Sequence, residues 1–299
     1  MSVSSGGAEG DRNSGIYPPA ISSDGRFIAF DSDAKTLAPN DTNNTIDVYV
    51  RDQTTGVVTC ISVDSTGASG NGASFDPALS ADGRYVAFFS DASNLITNDA
   101  NQASDVFVRD RDPGADGVFD EPDAFTFRVS VSSSGAEADG PSYSAAISAD
   151  GMVIVFATDA TNLGANDKNN STDVFLHDRN DGTTTRMSLD SQGRGGKDDS
   201  YSPSISADGK IVTFASIATN LVPSDLNGKA DLFLRDRANG TTERLSVDSI
   251  GIEGDATTYG DAALSSDGSI VAFLSEASNL VDNDTSGSLD VFVRIRAIF

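Results

Sequence analysis

The residues with the most chemistry in this chain of 299 are its aspartates. A D-x-N-x-x-x-D pattern stands at Asp41, Asn43 and Asp47, and returns at Asp99, Asn101 and Asp105, at Asp167, Asn169 and Asp173, and at Asp225, Asn227 and Asp231. A fifth version, Asp284, Ser286 and Asp290, puts serine in the asparagine's place. Alternating side chains on a tight loop can turn their oxygens to one point, and a hard cation such as Ca²⁺ takes about six to eight oxygens near 2.4 Å. Calcium is the cofactor such loops would take, with carbonyls and water completing the shell. The competing reading is that Asp and Asn bond neighbouring amides as Asx-turns while the last Asp anchors the strand it opens. A further acidic stretch, Asp112, Asp116 and Asp120, has spacing closer to that of a calcium loop and could equally be a solvated acidic loop.

Five aromatics, Tyr17, Phe75, Tyr143, Tyr201 and Tyr259, recur at similar spacing. Tyrosine joins an apolar face to a hydroxyl, so these rings could stack on a sugar or a peptide, or wedge between packed elements. Asp76 and Asp261 follow two of them closely, and two acids facing each other across a cavity are what a glycoside hydrolase uses. Nucleophilic catalysis is poorly served. His177 is the only histidine and Cys60 the only cysteine; each stands where other segments carry arginine, and in different segments.

The acids number 45 against 20 basic residues, a net charge of 20 − 45 = −25, and only six of the acids are Glu. Asp forms turns far better than helices or strands, which points to acidic loops on a β framework. Nucleic acid is an unsuitable partner, because phosphate binding needs clustered Lys and Arg. No run of about 18 apolar residues could span a membrane, and Met1 to Ser4 lacks the features of a signal peptide. One cysteine excludes internal disulfides.

A Ser-x-Asp-Gly turn recurs at Asp24-Gly25, Asp82-Gly83, Asp150-Gly151, Asp208-Gly209 and Asp267-Gly268, spaced 58, 68, 58 and 59 residues apart. The last Asp of each acidic pattern keeps the same spacing and opens an apolar triplet. Each unit reads as four short strands: in the first, Pro19 to Ser22, Phe27 to Phe30, Asp47 to Arg51 and Cys60 to Val63. Second and third strands are apolar on both faces, as stacked sheets require. The expected fold is all-β, a five-bladed β-propeller of four-stranded blades filling residues 1–299 as one domain. The last unit stops after its third strand, while Ser2 to Glu9 matches Ser130 to Glu137. The N-terminus is therefore expected to complete the last blade and close the ring.

Ile21-Ser22-Ser23-Asp24-Gly25-Arg26-Phe27-Ile28-Ala29-Phe30 followed by Asp47-Val48-Tyr49-Val50-Arg51-Asp52 resembles the TolB-type, WD-repeat-like propeller repeat, and all five units carry it. The resemblance implies an envelope or secreted bacterial protein, extracytoplasmic, that binds partners or accompanies a hydrolase; none of the family's catalytic residues maps onto this chain. In up-and-down blades the loop between second and third strands shares a face with the loop into the next blade. That long-loop face is the expected ligand face. The leading reading is a non-enzymatic module for a glycan, a cell-wall component or a protein. The alternative is a glycoside hydrolase or lyase using Asp76 and Asp261, and the chain could also be cut from a longer surface protein.

Overall fold

The computed structural model describes residues 2–39, 41–165, 167–285 and 287–296. Among them are 19 strands and no α-helix. Blade 1 holds β1 (Ala20–Ile21), β2 (Phe27–Ser32), β3 (Asp47–Asp52) and β4 (Val58–Cys60); blade 2 holds β5 (Ser74–Leu79), β6 (Tyr85–Ser90), β7 (Asp105–Asp110) and β8 (Phe125–Arg128). Blade 3 comprises β9 (Ser142–Ile147), β10 (Val153–Thr158), β11 (Asp173–Asp178) and β12 (Thr183–Arg186), and blade 4 comprises β13 (Ser200–Ile205), β14 (Ile211–Ser216), β15 (Asp231–Asp236) and β16 (Thr241–Arg244). Blade 5 has β17 (Ala263–Leu264), β18 (Ile270–Ser275) and β19 (Asp290–Ile295). Each sheet runs antiparallel in sequence order.

The Ser-x-Asp-Gly turn is built from its own side chains. Ser22 Oγ donates to Asp24 Oδ1 (2.6 Å), which also accepts Arg26 N (2.9 Å), while Phe27 N donates back to Ser22 Oγ (2.9 Å). The glycine has a second duty. At Gly83 φ is +73°, and a Cβ there would lie 2.3 Å from the Phe27 ring of the preceding blade; at Gly151 it would lie 2.1 Å from Tyr85. The turns of blades 2 to 5 thus receive the first residue of β2, or its equivalent, from the blade before. The turns also pass backbone hydrogen bonds round the axis: Ser23 N to Ala81 O, Ala81 N to Ala149 O, Ala149 N to Ala207 O and Ala207 N to Ser266 O, at 2.8 to 2.9 Å. The core lies between blades, as where Phe27, Val48 and Val50 meet Val86, Phe88 and Phe107. Strands β6, β7 and β10 are buried on both faces, as their unbroken apolar sequence requires.

Two expectations need adjusting. The fourth strand of blade 1 lies at Val58–Cys60, earlier than its apolar run suggested, because Ser62 leaves the ladder to accept Val48 N and bond Asp47. The N-terminal segment does not add to β19. Its match, Ser130 to Glu137, begins after β8 has ended, and Val3 pairs with Glu9 as Val131 pairs with Glu137. It lies on blade 1 instead, where Arg51 Nη1 donates to Val3 O (3.2 Å) and Val58 N to Ser5 Oγ (2.9 Å). Among the described residues blade 5 therefore has three strands. Its outer face is uncovered, with Ile270, Val291, Val293 and Ile295 exposed at 44, 70, 60 and 74%. At Gly25, the partner that Ile270 would have by analogy, a Cβ would meet only Ile21, at 4.0 Å.

Candidate functional site

The acidic loops divide their labour. The Asn of the pattern is committed at both ends: Asn43, Asn101, Asn169 and Asn227 donate through Nδ2 to the carbonyls of Gly70, Ala138, Gly196 and Gly254 (2.8 to 3.1 Å), tying each loop to the linker entering the next blade. Their Oδ1 atoms accept the amides of Thr45, Ala103, Ser171 and Lys229. The last Asp is buried and anchors the third strand, accepting Ser62, Ser130, Ser188 or Ser246 Oγ at 2.5 to 2.8 Å. These are the Asx-turn and strand-anchor roles. In blade 5, Asp290 opens β19 and is exposed, Asp284 belongs to the preceding loop, and Ser286 lies outside the described residues.

Two things the pattern did not reveal join the acids. Arg128 from β8 reaches Asp105 Oδ2 (2.9 Å), Asp99 Oδ1 (3.7 Å) and Glu137 Oε1; Arg244 from β16 repeats this with Asp231 (3.2 Å), Asp225 (3.7 Å) and Glu253. Asp99, Asp105 and Glu137, and likewise Asp225, Asp231 and Glu253, present ligand atoms within 4.8 Å of one another, so each triad could hold a metal ion. Burial, with the neighbouring Asp second, pushes Asp99 and Asp225 up to about 6. Blade 3 keeps Asp167, Asp173 and Arg186 but has Gly195 in the glutamate's place. Blade 1 has Cys60 for the arginine and Ser69 for the glutamate, and Tyr49 Oη donates to Asp41 Oδ2 (2.8 Å).

In the blade 2 insertion, Asp112 accepts the amides of Asp116 and Gly117 (3.1 and 3.0 Å), and Asp116 accepts Val118 N (2.9 Å). Asp120 takes a bidentate pair from buried Arg111 (2.9 and 2.6 Å), whose guanidinium lies 4.7 and 5.0 Å from the Phe27 and Phe119 rings. The hairpin is stapled by an ion pair and an aromatic sandwich rather than by converging carboxylates.

The five aromatics stand where the first strands begin, and those strands neighbour one another in blade order. Tyr17, Phe75, Tyr143 and Tyr201 are half-buried; Tyr259 is exposed. Tyr17 meets Phe75 at 5.9 Å and Phe89 edge-on at 5.7 Å. Tyr143 Oη donates to Asp159 (3.0 Å) and Tyr259 Oη to Glu276 (2.9 Å). The residue after the ring has a left-handed backbone at Asp76, Ser144 and Ser202 (φ +53°, +51° and +47°), where the register of the first two strands slips. Such a bulge re-aims a side chain. Among the described residues no hydrogen bond reaches the Asp76 carboxylate, and burial, Asp31 and Asp261 together push it up to about 6. Asp31, missed in the sequence, is fully buried in β2 and accepts Ile16 N (2.7 Å) and Tyr17 N (3.2 Å). His177 and Cys60 are buried in different sheets: His177 Nδ1 bonds Thr184 Oγ1 (2.9 Å), as Arg109 and Arg235 bond Thr126 and Thr242, and burial raises the Cys60 thiol. Neither meets a catalytic partner.

Five antiparallel sheets joined face to face, with inner strands and turns linked in order round an axis, are the architecture of a β-propeller with five blades. Solved structures similar to it include the β-propeller domain of the Trilobed protease from Pyrococcus furiosus, which has an open velcro topology (TM-score 0.54, 12% identity, 96% of this chain and 69% of that one). A putative TolB from Agrobacterium tumefaciens matches with TM-score 0.53 and 15% identity over 95% of this chain and 77% of that one. An oligogalacturonate lyase in complex with manganese matches with TM-score 0.52 and 13% identity over 94% and 65%. The chain covers 49%, about half, of TolB from Acinetobacter baumannii, at 20% identity and TM-score 0.49 over 88% of its own length. At these identities the likeness is one of fold. No family model matches the chain, and no curated protein matches it. No helix among the described residues is long and apolar enough to cross a membrane.

Proposed function

We propose that the chain is a non-enzymatic, extracytoplasmic binding module whose channel mouth and long-loop face take a glycan, a cell-wall component or a protein. The observation that carries this reading is the group of half-buried rings at the starts of the first strands beside Asp76, whose carboxylate has no hydrogen-bond partner among the described residues. Aromatic faces beside carboxylates suit a ligand that joins apolar surface to hydroxyl or ammonium groups. A chain of charge −25 favours partners bearing positive charge. The acidic loops that frame the face are proposed to take calcium, since their donors are oxygens. The TolB-type resemblance of the repeats supports the proposed extracytoplasmic location.

The test is the double variant Tyr143→Ala, Tyr201→Ala, assayed on a glycan array and for retention on purified cell-wall material, with thermal melting in parallel. Lost binding at a nearly unchanged Tm is expected. Lost stability with undiminished binding would make the rings wedges between blades. One observation favours a second reading, a glycoside hydrolase or lyase: Asp76, pushed up to about 6, is suited to proton transfer near neutrality. Asp76→Asn and Asp261→Asn separate the two, because turnover on oligosaccharides would fall by orders of magnitude in an enzyme.

A further inference from the structure

Four of the acidic loops share one plan, and differences among them single out two. In blade 3, where the glutamate is absent, Arg186 is engaged through three nitrogens: Nε to Ser188 Oγ (3.0 Å), Nη1 to Asp167 (3.4 Å), and Nη2 to both Gly196 O (2.9 Å) and Asp173. Two carboxylates and one well-held guanidinium nearly balance. In blades 2 and 4 a third carboxylate is present and the arginine is held less well. Arg128 makes all its contacts through Nη1, Arg244 adds only a 3.4 Å bond from Nη2 to Ser224 O, and Nε of both is buried without a hydrogen bond. Three carboxylates against one guanidinium leave two negative charges uncompensated in each cluster.

A second observation points to a missing partner. Asp99 Oδ1 and Asp225 Oδ1 accept no hydrogen bond, although their side chains are only 3 and 2% exposed. Their nearest cations, Arg128 and Arg244 Nη1, stand 3.7 Å away, beyond hydrogen-bond reach, and a carboxylate oxygen at that depth without a hydrogen bond is costly. The ligand atoms of each triad lie within 4.8 Å of one another. Three oxygens no more than 4.8 Å apart all lie within about 2.8 Å of a common point, so a small inward turn brings them to the calcium–oxygen distance of about 2.3 to 2.6 Å.

We propose that blades 2 and 4 each bind one divalent cation of the calcium class, through Asp99, Asp105 and Glu137 and through Asp225, Asp231 and Glu253, with Arg128 and Arg244 as internal counter-ions that the metal displaces. This rests on the reading of the acidic loops as cation sites and narrows it from five loops to two. Blade 1, with Cys60 and Ser69, and blade 3, with Gly195, lack the third carboxylate. Glu137 and Glu253 lie in the linkers to blades 3 and 5, where Asn162 Nδ2 and Asn279 Nδ2 donate to their carbonyls (2.8 Å each). Each ion would therefore tie a loop, a fourth strand and the following blade together.

The experiment is calorimetric titration of the chelator-stripped full chain with calcium chloride, with melting curves in calcium and in chelator. Two equivalents are expected, one in Glu137→Gln and none in Glu137→Gln, Glu253→Gln, both variants keeping their β circular dichroism. Glutamine retains the oxygen that accepts Ala100 N and Leu226 N. Arg128→Met, Arg244→Met leaves the triads intact and should tighten binding at least tenfold by removing the competing cation. Binding of unchanged stoichiometry in the double glutamine variant would overturn the assignment while leaving calcium at other acidic loops. Absence of saturable binding in both the native chain and the arginine variant would overturn the assignment and the calcium reading together.

Discussion

Asp47 offers the sharpest test of how these loops are balanced, because blade 1 has lost the cation its counterparts retain. Its side chain is fully buried; Oδ1 accepts Ser62 Oγ at 2.5 Å, and Oδ2 is buried with no hydrogen bond. Cys60 stands where Arg128 stands in blade 2, and the Tyr49 hydroxyl serves Asp41 instead. Burial pushes Asp47 from 3.8 up to about 6, with Ser62 and Asn43 pulling the other way and Asp41 adding to the rise. That is about two pH units, or about 3 kcal/mol at about 1.4 kcal/mol per unit. A carboxyl whose folded value is raised contributes fully below the unfolded value, near 4, and the contribution is lost as pH rises through 6.

Asp47→Asn keeps the oxygen that Ser62 bonds and removes the charge. It should match the native chain near pH 4 and exceed it by up to about 3 kcal/mol at pH 7. Urea midpoints at half-unit steps from pH 4 to 7, read at constant m, give the difference directly. Asp76, Asp99 and Asp225 also titrate high and tilt both curves, so the difference between the proteins isolates Asp47. The pair Tyr49→Phe, Cys60→Arg should flatten the same slope by supplying the missing guanidinium. A difference that stays constant from pH 4 to 7 would refute the reasoning.

The joints between blades make two further predictions. Gly83→Ala and Gly25→Ala meet the same left-handed φ of +73°, a strain of about 1 to 2 kcal/mol, but only at position 83 does the new carbon strike a neighbour's ring; Gly83→Ala should cost about 1 to 3 kcal/mol more, and equal urea midpoints would mean the joint is not made this way. Removing residues 2–9 takes away the acceptors of Arg51 and Val58 N, about 1 kcal/mol each, so the melting temperature should fall by several degrees, and an unchanged one would detach the segment from blade 1.

The frame was legible because it repeats: the Ser-x-Asp-Gly turns and apolar triplets predicted sheets that the structure has. What escaped depends on partners far apart in sequence. Arg128 lies 23 residues beyond Asp105 on another strand, and Glu137 another nine along in a linker, so neither belongs to any short motif. A usable signal existed. The chain has six glutamates, and Glu9, Glu137 and Glu253 share one position of the repeat, each paired across the same small turn. Asp31 was detectable in the same way, as an acid where the other second strands carry Phe89, Ala157, Ala215 and Leu274. The fourth strand of blade 5 could not be argued from matching alone, because the matched segment belongs to the linker that follows such a strand.

Where the repeats agree, the residues hold the frame; where they disagree, something other than the frame must account for them. The disagreements gather in blades 1 and 2. Asp31 and Asp76 lie there with Tyr17, Phe75 and Phe89, as do the Tyr49 and Cys60 exchange and the insertion that brings Phe119 to within 4.6 Å of Phe27. Blades 3 and 4 instead carry Ser144 and Ser202 at the bulge, small and neutral, and alanine where Asp31 stands. A ligand met alike by all five blades would call for equivalent residues in every blade. The asymmetry fits a proposed ligand that lies toward blades 1 and 2, reading the acids with the aromatic cluster there and meeting the Tyr143 and Tyr201 rings at its edge. On that argument Asp76 and Phe75 are the positions at which substitution should alter recognition most, Tyr143 and Tyr201 add aromatic contact at the edge, and Ser144 and Ser202 are those at which it should alter it least.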